Sequence, residues 1–144
     1  MAILSSETLH ATAVAIDGHA VLLEGPSGAG KSDLALRLID RGAVLITDDY
    51  TLLVRRNGDL VARAPDTIRG KMEVRGVGIV TLPHVEDLPV RLVVRLDGQP
   101  VRLPERRIRR IAGVAVREIS LDPHHASTPI KVEMALRQPE ATPA

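Results

Sequence analysis

At 144 residues with a formal charge of +1, the chain has the size of one domain and offers no electrostatic case for nucleic acid. It has no Cys, Trp or Phe, and Tyr50 stands alone among Phe, Trp and Tyr positions. Disulfides and thiolate metal sites are therefore excluded, and the core must come from Leu, Val, Ile and Ala. No apolar run approaches the ~20 residues that cross a membrane, and the N-terminus lacks the basic and apolar regions of a signal peptide, which predicts a soluble cytoplasmic domain.

In chain order, residues 8–17 alternate enough for a strand, and Asp17-Gly18 turns the chain into a second strand at 20–24. Gly25 to Ser32 then reads Gly-Pro-Ser-Gly-Ala-Gly-Lys-Ser, a complete phosphate-binding P-loop pattern G-x-x-x-x-G-K-[ST]. Each fixed position has a chemical task. Gly25, Gly28 and Gly30 let the backbone amides of the loop, with those of Ser27 and Ala29, turn toward a polyphosphate. Lys31 supplies a point charge, the Ser32 hydroxyl takes one position on Mg²⁺, and Asp33 opens the helix that follows. That helix is predicted over 32–40, closed by Arg41-Gly42, and its dipole adds to the anion site.

A short apolar strand at 44–47 ends in Asp48-Asp49. A β–α–β crossover of this length brings the end of the second strand beside the P-loop. Two adjacent carboxylates there suit one Mg²⁺ ligand and one proton acceptor. Asn57-Gly58 predicts a tight hairpin between strands at 50–56 and 60–64, and residues 64–70 read as a loop with one helical turn. Glu73-Val74-Arg75-Gly76-Val77-Gly78 sets an acid and a guanidinium beside two glycines, which permits close approach to a ligand. Strands are predicted at 77–81, 90–96 and 113–121, and a final helix runs from Ser127-Thr128-Pro129 to Arg137. Residues 1–138 form one catalytic domain in this assignment, and 139–144 form a frayed tail. The basic stretch 102–110 suits a solvated face, or else one of its arginines stabilises the transferring phosphate while others meet an acidic patch on a partner, and His124-His125 suit a surface loop better than a metal site.

Together the P-loop, Asp48-Asp49 and Glu73 to Gly78 resemble the catalytic domain of HPr kinase/phosphorylase, the bacterial enzyme that phosphorylates a serine of the phosphocarrier protein HPr. The Glu-Val-Arg-Gly-Val-Gly motif is the most specific part of that likeness. The resemblance implies an α/β, strand-rich P-loop kinase fold of the HPr kinase and phosphoenolpyruvate carboxykinase type, with ATP and Mg²⁺ as cofactors and HPr or an HPr-like protein as partner. It assigns proton acceptance to Asp48, Mg²⁺ to Ser32, Asp49 and Glu73, and active-site places to His10 and Arg75. It also implies a homo-oligomer, a short form without the family's N-terminal domain, and a partner in a nitrogen-type phosphotransferase system. The alternative is a nucleotide-binding regulatory module on the same fold that does not turn over.

Overall fold

Two central strands carry continuous apolar runs, Ala-Thr-Ala-Val-Ala-Ile and Ala-Val-Leu-Leu, where a half-exposed strand would alternate. In the computed structural model, which describes residues 6–97 and 100–139, these strands are buried on both faces. The strands are β1 (Ser6–Leu9), β2 (Ala11–Ile16), β3 (His19–Glu24), β4 (Val44–Thr47), β5 (Thr51–Arg56), β6 (Asp59–Arg63), β7 (Lys71–Val74), β8 (Gly78–Thr81), β9 (Leu88–Arg95), β10 (Arg107–Ile111) and β11 (Val114–Ser120). Two helices, α1 (Lys31–Asp40) and α2 (Thr128–Arg137), and one 3₁₀ turn (Asp66–Ile68) complete the described elements. The fold is thus strand-rich α/β, and no helix among the described residues is long and apolar enough to cross a membrane.

One nine-stranded sheet has the path β1-β5-β6-β9-β3-β2-β4, with β11 added to β9 and β10 to β11; β7 and β8 form a separate hairpin. Alternation divides the core. Val14, Ile16, Val21, Leu23, Leu92 and Val94 face α1 and α2, where Leu34, Leu38, Val132 and Leu136 meet them. Ala13, Ala15, Ala20, Leu22 and Val93 face the other way, against Leu53, Leu60 and Ala62 of β5 and β6 and Ile111 and Val116 of β10 and β11. The Leu22 side chain is wholly inaccessible to solvent. Leu22→Ala is expected to cost about 2–5 kcal/mol of stability, read as a lower denaturation midpoint at unchanged slope.

Several sequence expectations change in the structure. The strand expected at 8–17 is broken at His10: β1 leaves to pair with β5 while β2 stays in the centre. The crossover from β3 through α1 does not end on a neighbour, because β2 lies between β3 and β4, antiparallel to both. The basic stretch contains a strand, β10, whose inward residues are Arg109 and the buried Ile111. Lys71–Val74, where no strand was expected, pairs with β8. The Asn57-Gly58 turn is as expected, with positive φ at both residues. Most of the tail, residues 140–144, lies outside the described residues.

Topology nonetheless concentrates chain ends. β3, β9 and β11 are mutually parallel, and β4 runs in the same sense two places away. The segments after β3, β4 and β11 therefore leave from one edge of the sheet, the edge at which open α/β sheets bind ligands.

Candidate active site

The P-loop leaves β3 at Glu24 and becomes α1 at Lys31. Gly30, at the N-cap, has φ of 99°, a conformation that disfavours any side chain bearing Cβ. Gly25 is needed for space instead: a Cβ there would lie 2.9 Å from the Ala29 Cβ. Lys31 is buried, and its Nζ donates to Gly25 O at 2.6 Å and Pro26 O at 3.1 Å, across the neck of the loop. Asp33 follows on the exposed face, paired with Arg37 one turn on at 3.1 Å.

The two aspartates after β4 differ sharply. Asp48 is only 7% exposed and is a hub. Its Oδ1 accepts from Ser32 Oγ at 2.7 Å and from Thr12 Oγ1 at 3.1 Å, while Oδ2 accepts from the Glu73 backbone N–H at 3.2 Å. Asp49 has a side chain 54% exposed, and His10 Nε2 donates to its Oδ1 at 2.7 Å. Its backbone is strained: φ is 71°, and Tyr50 N donates to Asp48 O at 2.8 Å, closing a three-residue turn of the rarer positive-φ kind. Two contacts steady it. Asp49 N donates to Thr12 Oγ1 at 3.1 Å, and the Tyr50 ring stacks on His10 with centroids 5.0 Å apart.

These groups open on a cleft of about 970 Å³. The P-loop lines its floor from Ser27 to Asp33. Asp48, Asp49, Glu73 and the turn from Val74 to Gly78 line it beside Ser32; Pro123 and His124 line it beside Gly30; and Leu36, one turn after Ser32, completes the lining. Arg75 is exposed on that turn and has no polar partner among the described residues. Thr12 and Pro123 were not singled out by sequence, and His124 was read as part of a surface loop. Thr12 carried a usable signal, a hydroxyl in an otherwise apolar buried strand; the other two carried none. No residue of the basic stretch lines the cleft. Arg109 instead pairs with Glu24 at the entrance to the P-loop, which holds its guanidinium above the usual arginine range, and Arg106 donates to Pro139 O at 2.8 Å.

The donor set fits a magnesium-bound polyphosphate. Asp33, Asp48, Asp49 and Glu73 face the same cleft, so a phosphate chain would meet four carboxylates unless a cation lay between them. The Ser32 hydroxyl and the carboxylates are hard oxygen donors, and Mg²⁺ typically takes one or two of these together with phosphate oxygens and water. No group of three or more His, Asp or Glu among the described residues forms a ready-made metal cage.

Residues 2–86 match the family described as HPr Serine kinase C-terminal domain. The chain belongs to this family. HPr kinase/phosphorylase of Burkholderia lata is 36% identical over 79% of this chain and 39% of its own length. That of Clostridium beijerinckii is 38% identical over 65% of this chain and 34% of its own length. The chain thus spans well under half of these curated relatives. The solved structure of the Hpr(Ser) kinase/phosphatase from Coxiella burnetii matches with a TM-score of 0.80 at 31% identity, over 91% of this chain and 94% of that one. As in other HPr serine kinase C-terminal domains, the fold is of the P-loop kinase type.

Proposed function

We propose that this chain transfers the terminal phosphoryl group of ATP, bound with Mg²⁺, to a serine hydroxyl of HPr or an HPr-like phosphocarrier protein. The observation that carries this reading is the pairing of a phosphate loop with two aspartates in unlike settings, one buried on Ser32 and one exposed on His10. Phosphoryl transfer asks for little covalent work from a protein; it asks for a held phosphate chain, neutralised charge and a positioned proton acceptor.

The P-loop amides and Lys31 hold the phosphates. Ser32, Asp48 and Glu73 are the groups that would hold Mg²⁺, which supplies charge neutralisation for the phosphate oxygens. Asp49, rather than Asp48, accepts the serine proton in this proposal. Asp48 spends its oxygens on three donors and is closed to a protein substrate, whereas Asp49 is exposed and has His10 as its side-chain partner. His10 orients that carboxylate, and the unpartnered Arg75, on the turn beside these acids, is placed to meet the charge of the transferring group.

Incubation of the purified chain with radiolabelled ATP, Mg²⁺ and HPr is expected to label HPr on serine, at a rate that falls away when Mg²⁺ is chelated. Tight ATP binding with no label on HPr would favour the regulatory module instead.

A further inference from the structure

The cleft has two flanks beside the phosphate loop: Asp48, Asp49 and Glu73 with the β7–β8 turn, and Asp33 of α1 with Pro123 and His124. A site for the nucleoside presupposes the proposed transfer, which orients a nucleoside triphosphate between these flanks. The reacting phosphate must lie at the acids, and the loop amides take the middle of the chain. The nucleoside end then emerges on the flank of Asp33 and His124.

That flank is firmly built. Residues 121–127 follow β11 at the ligand-binding edge of the sheet, with Leu121 N donating to Arg95 O at 3.0 Å. Inside the segment, His124 N donates to Asp122 Oδ1 at 2.8 Å, which holds that carboxyl below its ordinary range, and Thr128 Oγ1 donates to Asp122 O at 2.5 Å. Arg37 of α1 straps it down, donating to Pro123 O and, at 3.2 Å, to His125 O while its Nε holds Asp33. Pro123 is buried against the P-loop. A Cβ at Gly30 would lie 3.4 Å from Pro123 Cβ and 3.8 Å from His124 Cε1.

His124 is therefore an exposed ring on a fixed backbone near Gly30 of the phosphate loop, and its ring nitrogens make no hydrogen bond among the described residues. The other ring pair near the site, His10 with Tyr50, lies at the acids, the wrong end for a base.

We propose that the nucleoside base of the phosphate donor packs on the His124 ring, so that this flank distinguishes a nucleotide from an inorganic polyphosphate. A planar ring offers a base a large contact at small entropic cost, and such stacking tolerates any base.

The test is calorimetric binding of ATP and of inorganic tripolyphosphate, each with Mg²⁺, to the wild-type chain and to His124→Ala, His124→Gln and His124→Phe. His124 is exposed, so the variants should fold, and circular dichroism checks that they do. Ala and Gln are expected to lose about tenfold in ATP affinity, Phe to restore it, and tripolyphosphate to bind all four alike. Equal losses for tripolyphosphate would place the ring on phosphate and overturn the assignment. So would unchanged ATP affinity in the Ala variant, or rescue by Gln and not by Phe. A wild-type chain that binds tripolyphosphate as tightly as ATP also overturns it, while leaving transfer from an inorganic donor intact. ATP affinity that depends on the His124 ring in a chain that transfers no phosphate upholds the assignment and removes the proposed activity.

Discussion

Asp49→Asn is expected to bind ATP with near wild-type affinity and to transfer phosphate to HPr about 10²–10⁴-fold more slowly, the usual contribution of a positioned proton acceptor. The substitution isolates basicity. Asp49 sits at φ of 71°, and Asn is one of the few residues that enters this region as readily as Asp, so the turn should persist. An Asn carbonyl oxygen can still accept from His10 Nε2, and the backbone N–H still donates to Thr12 Oγ1. The Tyr50–His10 stack is untouched. What disappears is the ability to take a proton from the attacking hydroxyl. The effect should therefore fall on the single-turnover rate and on kcat, with KM for ATP little changed. A variant that phosphorylates HPr at the wild-type rate would sink the role given to Asp49 and return proton acceptance to Asp48.

How much of this was legible depends on how local each feature is. The P-loop is written in eight consecutive residues, and its glycines have the space and φ demands that the pattern implies. The end of β4 at Asp48-Asp49 was equally readable, because an apolar run stops there. The inequality of the two aspartates was not. It is set by Thr12, 36 residues before Asp48, and by the Glu73 amide, 25 residues after it. Placement of β2 between β3 and β4 left no trace either, since strands buried on both faces read alike wherever they stand in a sheet. In β10, a cluster of arginines hid a strand that buries Ile111 and leaves Ile108 60% exposed. His124 looked like a surface loop because its position depends on Arg37, 86 residues from Pro123 in sequence.

Asp48 separates stability from metal affinity if it is substituted twice. Asp48→Ala removes an acceptor from Ser32, from Thr12 and from the Glu73 amide together. Thr12 is wholly buried, so its hydroxyl loses an acceptor away from water, and the tie between β4 and the β7–β8 hairpin goes with it. A loss of about 1–3 kcal/mol is expected from the orphaned groups, read in the denaturation midpoint. Asp48→Asn should recover most of that. Its amide can turn so that the oxygen accepts from Glu73 N–H and the nitrogen donates to the two hydroxyl oxygens, which accept as well as donate. It cannot recover the negative charge beside Ser32. Mg²⁺ titrations of ATP binding should show about 10–100-fold weaker Mg²⁺ affinity in both variants, the scale of change seen when a metal ligand loses its supporting partner. Full Mg²⁺ affinity in Asp48→Asn would mean that Asp48 is only scaffolding, and that the charge holding the metal comes from Asp49 and Glu73.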